Sequence, residues 1–215
     1  MTISEGNEPS HAALMNETYR YQRWIYDATR KYFLFGRDHL IADLAPPPGG
    51  SVLEVGCGTG RNLRIIDHCY PGCALHGLDI SSEMLRSARK KLGDDAVLAE
   101  ADATDFDAQE VFGRAGFDRV VLSFALSMIP DWRAALRQAA GAVAPGGSLH
   151  VVDFGTQEGM PGWFRGPLNA WLAKFHVEPR HDLGAAIADL AKETGASVTC
   201  EQLHRSYSIY ATLQR

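Results

Sequence analysis

The chain has 215 residues, of which 46% are hydrophobic, with four cysteines and a formal net charge of −5. That length suits one well-buried α/β domain with a small attachment. The acidic balance argues against a general nucleic-acid binder, which needs a basic face, and no apolar stretch approaches the roughly 20 residues that span a bilayer. The amino terminus lacks a basic start and an apolar segment, so no secretory signal is expected and the cytoplasm is the expected compartment. Cys57, Cys69, Cys73 and Cys200 form no C-x-x-C pair, which predicts reduced, mostly buried thiols and no metal site.

Residues 1–13 are rich in Ser, Glu, Asn and Pro and read as a loosely held lead-in. Residues 16–44 have a helical pattern dense in aromatics, including Tyr19, Tyr21, Trp24, Tyr26, Tyr32, Phe33 and Phe35, interleaved with Arg20, Arg23, Arg30, Lys31 and Arg37. Two readings fit: the aromatics pack helices onto a sheet while the arginines face solvent, or the unit is a lid. Ala45-Pro-Pro-Pro-Gly-Gly50 ends it and marks a hinge.

Val52-Leu-Glu-Val-Gly-Cys-Gly-Thr-Gly60 comes next. It reads as a central parallel strand entering a turn whose three glycines let the backbone approach a ligand at the strand's carboxyl end. The dinucleotide pattern G-x-G-x-x-G needs a glycine where Arg61 stands, and no Gly-Lys-Ser/Thr follows for a phosphate loop. Glu54 opposes a pyrophosphate but suits an ammonium or sulfonium. A second strand over residues 75–80 ends in Asp79, about 20 residues beyond the loop, where a carboxylate accepts both hydroxyls of a ribose. Ser81 or Ser82 caps the following helix, and Ile80 and Met84 are placed to flank an adenine.

An acidic residue, any residue, then G-x-G-x-G resembles the first motif of the class I methyltransferases that use S-adenosylmethionine. The resemblance implies a Rossmann-like α/β fold: a seven-stranded, mostly parallel sheet with a C-terminal antiparallel hairpin and N-terminal lid helices. It also implies S-adenosylmethionine as cofactor, contacted by Glu54, Gly56, Cys57, Gly58, Gly60, Asp79, Ile80, Met84, Asp102, Ala103 and Ser123. The family's lid carries a Tyr-Asp pair, which Tyr26-Asp27 matches, with Tyr19 beside it.

Further strands are predicted over 96–100, 117–123 and 148–154, with a helix over 131–143, an alternation that implies right-handed βαβ units. The last two strands, 197–203 and 206–213, are separated only by His204-Arg205 and must be antiparallel. The chain divides into residues 1–45, a cofactor-binding core over 46–154, an insertion over 155–180, and a C-terminal helix and hairpin over 181–215. Ser123-Phe-Ala-Leu-Ser-Met-Ile-Pro130 stands where methyltransferases of DNA bases carry a Pro-Pro-Tyr-like stretch, which points away from nucleic acid as substrate. In the insertion, Trp163, Phe164, Leu168, Trp171, Leu172 and Phe175 are flanked by Arg165 and Lys174. Such a helix suits a membrane interface or caps a sheet edge.

Four longer stretches, 26–37, 123–132, 152–155 and 171–180, resemble the bacterial N-methyltransferases of betaine-lipid synthesis. This narrower resemblance implies trimethylation of diacylglyceryl homoserine by a protein held peripherally at the inner face of the membrane, beside the enzyme that makes that lipid. Arg165, Arg180 or an arginine of the front helix then holds the head-group carboxylate. Tyr19, Tyr26 or Phe154 surrounds the ammonium. His150, Asp153 and Tyr26 are candidate proton acceptors, with water as a rival. A phospholipid or small-amine methyltransferase, or a non-catalytic adenosyl-ligand binding protein, are the alternatives.

Overall fold

Apolar residues alternate along the central strands, and the computed structural model, which describes residues 34–175 and 177–215, shows where each set goes. Strands β1 (Ser51–Val55), β2 (Ala74–Asp79), β3 (Ala96–Glu100), β4 (Phe117–Ser123), β5 (Val143–Phe154), β6 (Ser197–Leu203) and β7 (Ser208–Gln214) form one sheet in the order β3-β2-β1-β4-β5-β7-β6. The first five are parallel, and β7 runs antiparallel to both β5 and β6. This is the expected Rossmann-like sheet.

Helices α1 (Arg37–Asp43), α2 (Arg61–Cys69), α3 (Ser82–Leu92), α4 (Ala108–Phe112), α5 (Trp132–Gly141), α6 (Gly162–Lys174) and α7 (Leu183–Thr194) cover both faces. Leu53, Val55, Val120, Leu122, Leu149 and Val151 pack against α5 and α7. Their neighbours Val52, Val121 and Val152 point the other way, toward α1, α2, α3 and the buried side of α6. Each fully buried Val or Leu contributes about 1.5–3 kcal/mol, so a one-residue slip of register would be strongly opposed. Ser81 caps α3, accepting from Met84 N at 3.4 Å, and Arg89, Lys90 and Lys91 in its last turn oppose the negative end of the helix dipole.

Several boundaries differ from expectation. Strand β5 begins at Val143, because Pro145-Gly146-Gly147 bulges out of a strand it was expected to precede, with the register against β4 shifting between Phe117 and Arg119. The β6–β7 turn is wider than His204-Arg205: His204, Arg205 and Ser206 have φ of 50°, 59° and 60°, and β7 starts only at Ser208. The wider turn has a job, since Gln157 N and Gly155 N donate to Ser206 O at 2.7 Å and Tyr207 O at 2.9 Å. Helix α5 is shorter than expected, with Asp131 as its cap. Cys69 and Cys200 are exposed rather than buried, one in the last turn of α2 and one on the edge strand β6. Of the residue 16–44 unit only the part from Leu34 onward is described, and Arg119 ties its end to the sheet by donating to Leu44 O and Ala45 O at 2.6 and 2.7 Å.

Candidate active site

The glycine turn after β1 takes its shape from three left-handed residues: Gly56, Gly58 and Gly60 have φ of 74°, 54° and 69°. Gly56 N and Cys57 N both donate to Leu78 O at 2.9 Å, locking the turn against the end of β2. A Cβ on Gly56 would stand 2.9 Å from Ala125 Cβ. Gly60 has a different task. It begins α2, and a Cβ there would meet Leu92 Cδ1 at 2.7 Å, so it lets α2 and α3 pack closely and lines neither cavity described below.

Two cavities meet at Gly56. The first, about 250 Å³, runs from Gly58, Asp79, Ile80 and Met84, past Asp102, Ala103 and Thr104, to a wall of Phe124, Ala125 and the segment Met128 to Asp131. Asp79 accepts from Gly58 N through Oδ2 at 2.8 Å and from Ser81 N through Oδ1 at 2.9 Å. The carboxylate thus clasps the glycine turn and the start of the next helix while lining the first cavity. Asp102 accepts from Thr104 N and Oγ1 at 2.8 and 2.7 Å, both through Oδ1, which directs Oδ2 to other donors. The second cavity, about 180 Å³, is bordered by Glu54, Cys57, Thr59 and Ser123 and by the cations Arg37, Arg61 and Lys91. Glu54 is 1% exposed and accepts from Asn62 Nδ2 at 2.6 Å. Burial, then the charges of Asp79 and Glu54, push the Cys57 thiol pKa well up, which registers the negative potential under the loop. The second cavity therefore carries both a carboxylate and cationic groups.

Arg37, Arg61 and Lys91 were not singled out from the sequence as site residues. Arg37 reads in the sequence as one of several interleaved front-unit arginines, yet it is 5% exposed and pairs with Asp38 at 3.3 Å. Nothing local in the sequence marks it, because its burial comes from packing against a distant sheet.

Other expected site residues are placed elsewhere. His150 lies inside β5, within 2.9 Å of Ser148 Oγ and 2.7 Å of the Tyr210 hydroxyl, which donates to Asp43 at 2.6 Å. Burial lowers its pKa to about 4. It lines neither of these cavities, and its polar partners are Ser148 and Tyr210. Asp153 is fully buried at the end of β5, accepting from Phe154 N at 2.8 Å and Ser127 N at 3.1 Å, and burial raises its pKa. It too lines neither cavity. Phe154 stands behind the wall, its ring 4.9 Å from that of Phe124 and 5.8 Å from that of Tyr207, and supports the site rather than facing it. Arg180 is engaged with the main chain, donating to Leu126 O and Ile129 O at 3.2 and 2.9 Å. Arg165 is exposed on α6. Tyr19 and Tyr26 lie outside the described residues.

Helix α6 departs from an ordinary packed helix. Leu168 and Leu172 are buried, whereas Trp163 is 79% exposed, and Pro167 sits inside the helix, removing one backbone donor. Among the described residues no helix is long and apolar enough to cross a membrane.

Residues 53–149 match the family described as "Methyltransferase domain". Over 157 residues the chain is 32% identical to the phosphatidylethanolamine N-methyltransferase of Cereibacter sphaeroides, a match covering 70% of each protein. It is 33% identical over 117 residues to the demethylmenaquinone methyltransferase of Listeria welshimeri, covering 54% of this chain and about half, 49%, of that relative. Among solved structures, the phosphoethanolamine N-methyltransferase 2 of Haemonchus contortus, in complex with phosphomonomethylethanolamine and S-adenosylhomocysteine, superposes with a TM-score of 0.70 at 16% identity, covering 95% of this chain and 59% of that one.

Proposed function

The chain belongs to the class I S-adenosylmethionine-dependent methyltransferases, and from that premise we propose that it N-methylates the amine head group of a membrane lipid, carrying diacylglyceryl homoserine through three transfers to the betaine lipid. The cofactor supplies an electrophilic methyl group on a sulfonium, whose departure as a neutral thioether makes the displacement easy. The protein has correspondingly little chemistry to perform beyond alignment and exclusion of water.

The residues fit that cofactor. Asp79 lines the first cavity, where its carboxylate suits the ribose hydroxyls. Asp102 Oδ2 suits the adenine amino group. Glu54 and the negative potential under the glycine turn suit the sulfonium, and Arg37, Arg61 and Lys91 suit the carboxylate at the other end. An ammonium must lose a proton before it can attack. With His150 and Asp153 both inside the sheet, water receives that proton, and Tyr26 remains the candidate for a cation–π face toward the amine.

The observation that carries the lipid reading is α6, which exposes Trp163 (79%) together with Arg165 and Lys174 while Leu168 and Leu172 pack into the core. A helix that buries one side and exposes an aromatic ring and cations elsewhere suits a membrane interface. Peripheral attachment there would bring the cavities to an acceptor that does not leave the bilayer, next to the enzyme that forms it. A second reading is favoured by the Cereibacter relative: phosphatidylethanolamine as the acceptor. Incubation with labelled S-adenosylmethionine and total bacterial lipid, followed by identification of the labelled head group, decides among homoserine lipid, phosphatidylethanolamine and neither.

A further inference from the structure

We infer that Arg180 is a positioning residue for S-adenosylmethionine, because its guanidinium holds the far wall of the first cavity in place by binding two main-chain carbonyls of the turn after β4. The inference rests on the methyltransferase assignment and not on the lipid reading. The turn, Leu126–Met128, is a single 3-10 helix whose own bonds are Met128 N to Ala125 O at 3.0 Å and Ile129 N to Leu126 O at 3.3 Å. So short a helix leaves carbonyls without partners and has little rigidity of its own. Arg180 Nε donates to Leu126 O at 3.2 Å and Nη2 to Ile129 O at 2.9 Å, so one planar fork spans the turn. Glu178 N donates to Ser127 O at 2.8 Å, bringing a third carbonyl of the same turn to the same segment.

The opposite side of the turn is held by Asp153, whose Oδ2 accepts from Ser127 N at 3.1 Å. The turn is thus fixed between a buried carboxylate on β5 and the guanidinium that follows α6. What it fixes is part of the cavity wall, since Met128, Ile129, Pro130 and Asp131 line the same cavity as Asp79 and Asp102. The Arg180 side chain is 14% exposed and its ion-pair partner Glu178 is 77% exposed, so the carbonyls, not the salt bridge, define its role.

Calorimetry of S-adenosylmethionine binding to the full chain tests this, with R180M, R180K and E178Q compared with wild type. Loss of the fork in R180M should weaken binding about tenfold, or about 1.4 kcal/mol. R180K, with a compact ammonium that serves one carbonyl, should recover part of the loss, and E178Q should bind as wild type. If R180M does not fold, R180K is judged by the same criterion. Folded variants that bind S-adenosylmethionine as wild type overturn the inference. Unchanged binding together with reduced methyl transfer into a total lipid extract would return Arg180 to the acceptor, and unchanged binding with only a lower melting temperature would make it a plain strut.

Discussion

Replacing Asp79 by asparagine keeps the shape of the side chain and removes its charge. In the structure the carboxylate accepts from Gly58 N at 2.8 Å and Ser81 N at 2.9 Å and lines the first cavity, where it is proposed to meet the ribose hydroxyls. Asparagine retains one carbonyl oxygen and turns an NH2 group toward a donor that was bonded before. Losing charged hydrogen bonds to the ribose should cost roughly 1.5–3 kcal/mol, or about ten- to a hundredfold in affinity. Alanine should cost as much in binding and also destabilise the unliganded protein, by about 1 kcal/mol for each main-chain donor left without its acceptor. Calorimetry with S-adenosylmethionine gives the first quantity and thermal unfolding of the apoprotein the second. Wild-type affinity in Asp79→Asn would refute the ribose assignment, and an apoprotein unaffected by Asp79→Ala would refute the clasp on the glycine turn.

Gly56→Ala should weaken cofactor binding, because φ of 74° is strained for alanine and the new methyl would press on Ala125 in the cavity wall; binding equal to wild type would contradict the close packing there. His150 has a folded pKa near 4, below its ordinary value, so the unfolded chain takes up the proton first and stability falls as pH drops from about 6.5 toward 4. The loss should reach about 3 kcal/mol and be absent in His150→Gln, as urea unfolding across that range would show. Trp163→Ala should lower the affinity for anionic liposomes about tenfold or more, with wild-type binding weakened by salt; equal sedimentation of variant and wild type would remove α6 from the interface. Tyr26→Phe should retain trimethylated product while Tyr26→Ala accumulates mono- and dimethyl lipid, distinguished by mass spectrometry; uniform slowing of all steps in Ala would place Tyr26 in cofactor binding or packing instead.

The cofactor side of the site was legible in the sequence because it is built from short-range features. Glu54, Gly56 and Gly58 sit within one strand and turn, and Asp79 ends the next strand in register with it. The near-continuous apolar runs Val52-Leu53 and Val120-Val121-Leu122 likewise mark strands with both faces buried. What escaped depends on contacts across long separations. Arg180 reads as a cation among aromatics, and only the fold brings it to carbonyls 51 and 54 residues away. His150 reads as a candidate base because its period along β5 says nothing of Tyr210 on a strand that pairs with it from the end of the chain. Pro145-Gly146-Gly147 reads as a terminator, whereas a neighbouring strand can absorb it as a bulge.

The chain of groups from Ser148 to Asp43 has a direction. Tyr210 has a single hydroxyl proton and gives it to Asp43, so the ring nitrogen 2.7 Å from the same oxygen, His150 Nδ1, must carry its own proton. Nε2 is then the bare nitrogen and takes the proton of Ser148. Asp43 is the last residue of α1, so the seating of α1 on the sheet favours this tautomer. With Asp43 withdrawn, Tyr210 is free to donate to His150 Nδ1, an arrangement that needs the Nε2–H imidazole and makes Ser148 the acceptor. The nitrogen-15 shifts of one buried histidine therefore report, from within the sheet, whether the segment leading into the catalytic core is seated.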